Sequence, residues 1–151
     1  MAALTAVQRL DPMTTAFRAL RWGTAMYLVG WLLHSADHLR RGTDVVTRHV
    51  QGLGVFGTIV AFVIAALVFT RHRWAPIFAT YVVLPTGVLL IAVHVLPSWG
   101  VWSDAFPGGA TRGVTAMSWV AVLLEVSGKL AVGLIGVSML LREKRPQIAA
   151  G

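Results

Sequence analysis

Four long apolar runs, at about residues 22–39, 50–70, 74–96 and 114–141, constrain this chain more than any other feature. A hydrocarbon layer about 30 Å thick is crossed by about 20 helical residues rising 1.5 Å each. The second and third runs reach that length without one formally charged side chain. The fourth is long enough to cross at a tilt. The first is the least apolar, because His34, Asp37 and His38 sit near its end.

Buried helices of a soluble protein are the competing reading, and composition decides against it. Hydrophobic residues make up 56% of the chain and charged ones 13%, where soluble domains carry about 25% charged. Four such runs leave no polar face to cover a soluble globule. A membrane barrel is excluded as well, since its strands alternate apolar and polar residues and VFGTIVAFVIAALVF, from Val55, does not. Inside lipid the unalternating runs satisfy their backbone only as helices. The expectation is an all-α integral membrane four-helix bundle, a single transmembrane domain over residues 1–151.

The net charge of +7 comes from residues that flank these runs: Arg18 and Arg21 before the first, Arg40 and Arg41 after it, Arg71 and Arg73 between the second and third. A nucleic-acid footprint would instead form a basic stripe on a folded surface, so no nucleic-acid partner is expected. Basic residues concentrate on the cytoplasmic side of membrane proteins. With the N-terminus inside, that side holds Arg9, Arg18, Arg21, Arg71, Arg73, Arg142, Lys144 and Arg145, and the other side only Arg40, Arg41, Arg48 and Arg112. Both termini are therefore expected in the cytoplasm, in a multi-pass protein of the cell membrane. The first run is preceded by arginines like a signal peptide, but HSADHLRR follows where a small-residue cleavage site would stand, so it reads as a retained span.

Small residues mark helix contacts. Gly57, Ala61 and Ala65 are spaced four apart on the second run, Gly133 and Gly136 lie in the fourth, and Pro85 interrupts the third. Such spacing allows close backbone approach, and a mid-helix proline produces a kink.

The up-and-down order brings scattered histidines to one level. His34 and His38 lie four apart, on one helical face, with Asp37 beside them. His94 falls near the same end of the third run, and His49 at the mouth of the second. Imidazoles on a shared face hold transition metals, and a nearby carboxylate ligates or orients a ring. His34, His38, His94 and Asp37 are thus the candidate ligands for zinc, copper or iron, with His49 peripheral. A b-type haem would use the same histidines axially, His94 paired with His34 or His38, with Gly30 making room for the porphyrin. The bland alternative is a helix end with interfacial histidines and Asp37 paired to Arg40 or Arg41. His72, between Arg71 and Arg73, reads as a loop residue on the opposite side.

Glu125 and Lys129 lie near the middle of the fourth run, four apart in the favourable order. Charges at the bilayer centre cost about 2.5–3.5 kcal/mol each, so they face inward and find partners. They form either a self-cancelling ion pair or a proton relay. The loop PSWGVWSDAFPGGATRG reads first as a connector resting at the headgroups through Trp99 and Trp102, and second as a flap over the histidines. Thr111 or Ser118 is positioned to cap the following helix. No cysteine is present, which removes thiolate sites, disulfides and covalent c-type haem. No phosphate-binding loop or dinucleotide fingerprint occurs.

HSADH together with AVHVLP is loosely similar to histidine-bearing membrane anchors of respiratory enzymes, and nothing is carried over from that likeness. The residues themselves lead to a membrane protein with an outward-facing histidine cluster for a transition metal or b-type haem, serving as a redox or metal-handling subunit. The alternatives are a non-catalytic accessory subunit packed against a larger membrane complex, and a small proton-coupled transporter using the Glu125–Lys129 pair; the expected partners are the lipid bilayer and other membrane-protein subunits or further copies of the chain.

Overall fold

The structure, a computed structural model, describes residues 12–109 and 111–148, and it is all-helical among them. Arg9 lies outside the described residues, as do the side chains of Lys144 and Arg145. Four helical columns follow one another: α1 (Pro12–Arg41), α2 (Arg48–Phe69), α3 (Ala75–His94) and α4 (Ala116–Ile148). Three stretches, Arg48–Phe69, Ala75–His94 and Ala116–Glu143, are long and apolar enough to cross a membrane.

The expected 22–39 is only the middle of α1, which begins ten residues earlier at Pro12 and runs for 30 residues. Hydropathy marks where a helix is apolar, whereas intrahelical hydrogen bonds continue through Arg18 and Arg21 at no such boundary. The helix stops where Gly42 adopts φ 93, and its N–H bonds the His38 carbonyl at 3.1 Å. Glycine is the usual residue at this position past a helix end. Thr47 opens α2 by accepting a hydrogen bond from the Val50 N–H.

Pro85 in α3 is accommodated by a π turn over Ala79–Val83, in which the Leu84 N–H reaches back to the Ala79 carbonyl. Proline lacks an N–H and its ring crowds the carbonyl four residues before it. The wider turn relieves that crowding.

α4 is the central helix, antiparallel to both α1 and α3. Its glycines let backbones meet: a Cβ on Gly128 would lie 2.5 Å from the Tyr27 Cα, and one on Gly136 2.8 Å from the Pro76 carbonyl. On the α1 side, Gly30 receives the α4 backbone at Leu124 and Glu125. The space at Gly30 is therefore filled by protein, which corrects the expectation of a porphyrin slot there. On α2, the expected close approach is made by Ala61, which is buried in the core, while Gly57 faces open space.

Two apolar clusters divide the interior. One gathers Leu20, Tyr27, Ile64, Val83, Val132 and Met139; the other gathers Phe106, Val122 and Val126. Along α4, Glu125 and Lys129 fall between Val122 and Val132, so a buried polar layer lies where the two clusters meet.

Candidate metal centre

α4 sets the geometry. The close contact at Gly30 brings Glu125 against α1, one turn from His34. The Glu125 Oε2 accepts from the His34 Nδ1–H at 2.6 Å, and its Oε1 meets the Lys129 Nζ at 3.0 Å. All three residues are at most 6% exposed. The intrahelical pair foreseen in the sequence thus has a third member. Lys129 also stands 5.2 Å from the centre of the Tyr27 ring, a cation–π contact.

With Nδ1 committed to Glu125, Nε2 is the ring nitrogen of His34 left for a ligand. That atom is buried and has no hydrogen-bond partner. His94 is arranged the same way: its Nδ1–H donates to the Asp104 carbonyl at 3.1 Å, with the Asp104 carboxylate 3.4 Å away. Metal-bound imidazoles characteristically donate their second N–H to a carboxylate or carbonyl, which fixes ring orientation and raises basicity. His38 is the partly exposed member, and the Arg41 Nη2 donates to its Nδ1 at 3.2 Å. It ligates only by exchanging that contact for the metal.

His34, His38 and His94 each offer a ligand atom, and these atoms lie within 4.8 Å of one another, so the triad can hold a metal ion. Ring centroids are 4.7, 4.6 and 5.7 Å apart. Metal–nitrogen bonds of about 2.0–2.1 Å at tetrahedral angles put three centroids around one ion about 5 Å apart. The residues fit an ion. A porphyrin iron needs two rings in line across the macrocycle, and here the third imidazole and the α4 backbone occupy its place.

Asp37 does not join this group. Its carboxylate accepts from the Arg40 Nη2 at 2.8 Å, the Arg41 Nε at 3.0 Å and the Ser118 hydroxyl at 2.9 Å. Ser118 in turn accepts from the Thr115 N–H, half of the reciprocal cap expected at a helix start. His49 lies beside Trp102, centroids 4.6 Å apart, and is exposed, apart from the triad. His72 is an exposed loop residue whose Nδ1 accepts from the Trp74 N–H.

Asp104 and Arg41 are the site residues that the sequence reading missed. Arg41 grips the Asp104 carboxylate with both terminal nitrogens, at 3.1 and 2.6 Å, a bidentate pair between α1 and the last loop. Burial works against the charged carboxyl, but hydrogen bonds and charge from His94 and Arg41 outweigh it and hold Asp104 below the ordinary carboxylate range. The loop folds in because α3 ends with unsatisfied carbonyls. The Trp99 indole N–H bonds the Ala92 carbonyl, the Asp104 N–H that of Val93 and the Phe106 N–H that of His94. Phe106 consequently packs on His94, under the Arg41 guanidinium. A signal was available: the chain has six acidic residues in all, and Asp37, Asp104 and Glu125 all converge on the end of the molecule that holds the histidines.

A cavity of about 90 Å³ reaches the triad, lined by His34, His38 and His94, by Glu125 and Lys129, and by apolar Trp31, Leu53 and Leu90. No protein-family model, curated protein or solved structure matches this chain.

Proposed function

We propose that this is a four-span membrane protein that binds one transition-metal ion through His34, His38 and His94, in a redox or metal-handling role. One observation carries the reading: His34 and His94 come from different helices, each with Nδ1 tied to an acidic residue, and their ligand atoms lie with that of His38 within 4.8 Å of one another. Three nitrogen ligands with a fourth position open are the arrangement of reactive rather than purely structural sites. Zinc, copper and iron all accept such a set.

α1 crosses as the fourth span in this reading. It lies along α4 from Gly23 beside Val132, through Gly30 at Glu125, to Asp37 on Ser118. Its 22–36 stretch holds no Asp, Glu, Lys or Arg. The basic-residue count puts both termini in the cytoplasm and the metal toward the outer leaflet of the cell membrane. Glu125 is a positioning residue for His34, and with Lys129 it offers a route for protons away from the metal.

The test is elemental analysis and absorption spectroscopy of the protein purified in detergent. About one equivalent of zinc, copper or iron is expected, lost in His34→Ala and His94→Ala and kept in His49→Ala and His72→Ala. A metal-free wild type after reconstitution, or unchanged loading in the first two variants, overturns the assignment. A Soret band would replace the ion with haem.

A further inference from the structure

Glycines within the helices divide into two kinds. Those of α1 and α4, such as Gly30, Gly128 and Gly136, are required by a neighbour pressed against them. Those of α2 are not: a Cβ on Gly52, Gly54 or Gly57 would meet nothing within 4 Å. Glycine is the poorest helix former after proline, so α2 carries three weak residues without a packing return. What they leave is room.

At Gly54 and Gly57 that room borders the metal centre. Gly54 and Gly57 line the cavity that reaches the triad. Gly54 also lines a groove of about 380 Å³ between α1 and α2, and the two share Trp31, Ser35, His38 and Val50 as a common wall. From the loop side the centre is closed: Asp104, Ala105 and Phe106 are buried and Arg41 clamps them to α1. Beside the glycines, Val55, Phe56 and Ile59 are exposed, as residues facing hydrocarbon are. His34, whose Nε2 is buried and has no hydrogen-bond partner, lines the inner cavity.

We propose that the glycine edge of α2 is a lateral portal, through which a membrane-dissolved alcohol or phenol places its hydroxyl oxygen on the open position of the tri-histidine metal. This rests on the metal reading above. Three imidazoles are neutral, so the ion keeps its positive charge and attracts an oxygen donor. The inner chamber is small and admits a single-oxygen head. A carboxylate would have to be carried through hydrocarbon as an ion, which is costly, and a plain hydrocarbon supplies no ligand. The outer groove is of the size that holds a slim apolar body, within the range of about 300–1,000 Å³.

The experiment uses the full chain loaded with cobalt(II) in phosphatidylcholine nanodiscs, with 4-nonylphenol as probe. Its hydroxyl is expected to shift the visible cobalt bands, whereas nonylbenzene, which lacks the head, leaves them unchanged. A Cβ at either position meets nothing within 4 Å and leucine improves helix propensity, so Gly54→Leu/Gly57→Leu is expected to fold and keep its cobalt, which the visible bands check. Its half-saturation for nonylphenol is expected to rise by about tenfold or more, because the side chains fill the passage. A fully loaded variant that responds like the wild type overturns the portal, as does a wild-type response to nonylbenzene. If the substitutions change only the oligomeric state, the edge is a contact between copies and the proposal falls. Failure of the metal reading is separate and visible, because the wild type then shows no cobalt bands.

Discussion

Replacing Glu125 by methionine removes the one carboxylate that holds both His34, at 2.6 Å, and Lys129, at 3.0 Å. Both partners stay buried, with side chains no more than 7% exposed. The Lys129 ammonium is then enclosed without a counter-ion, which costs about 3–5 kcal/mol where one member of a buried pair is deleted. For a chain of this size that is a fall in Tm of about 6–20 °C, at roughly 2–4 °C per kcal/mol. Removing the orphan with Glu125→Met/Lys129→Met replaces the pair by apolar side chains of similar length, and this exchange is neutral or stabilising. Stability therefore returns in the double variant except for the about 1–3 kcal/mol cost of a buried N–H left unsatisfied at His34, but metal affinity does not. Both variants leave the His34 Nδ1–H without its acceptor, and loss of such an acceptor lowers affinity by about 10–100-fold. Tryptophan fluorescence during thermal unfolding in detergent reads the first quantity, and competition with a chelator of known affinity reads the second. A double variant as unstable as the single one refutes the ion-pair argument. Wild-type affinity in both refutes the positioning role of Glu125.

Arg41→Leu leaves the buried Asp104 carboxylate without its counter-ion, while Asp37 keeps Arg40 and Ser118, and a loss of about 3 kcal/mol or more is expected; limited proteolysis is then expected to cut faster between Trp99 and Phe106 than in the wild type. Gly128→Ala drives a methyl group into the Tyr27 backbone and separates α1 from α4, a destabilisation of about 1–3 kcal/mol or more measured by thermal unfolding, whereas Gly52→Ala on the open edge of α2 leaves stability equal or higher. Chelator treatment lowers Tm, because metal that binds only the folded chain contributes about 2.7 kcal/mol at a free concentration of 100 times Kd; a Tm independent of added zinc, copper and iron counts against the centre.

Long elements and local spacings were legible in the sequence; docked loops were not. The apolar runs predicted α2, α3 and α4 to within a few residues, except that α4 continues to Ile148, because a long apolar run in lipid satisfies its backbone only as a helix unless it alternates as a barrel strand does. The i,i+4 relations of His34 with His38 and of Glu125 with Lys129 are properties of any helix, so they transfer directly. His94 joined them because its place along a span fixes its depth. The bond between His34 and Glu125 depends on the rotation of α4 about its axis, which Gly30 sets and which no local pattern announces. From the sequence, Arg41 reads as a flanking charge and Asp104 as part of a connector at the headgroups. Their pairing follows from the unsatisfied carbonyls at the end of α3, which draw the loop inward. Asp37 lies beside both histidines in the sequence, but two arginines close by on its own helix and a serine on α4 claim its oxygens.

The central position of α4 has a consequence for biogenesis. Synthesis of the chain passes from Arg41 to Ala116 before any of α4 exists, an interval of roughly 4–15 s at about 5–20 residues per second. Through that interval α1, with Asp37 and its two arginines, has no serine or glycine seam to rest on. On the four-span reading proposed above, the least lipid-compatible of the four helices precedes its mate in the chain, so the nascent segment would wait at the interface or in the insertion machinery until α4 is made.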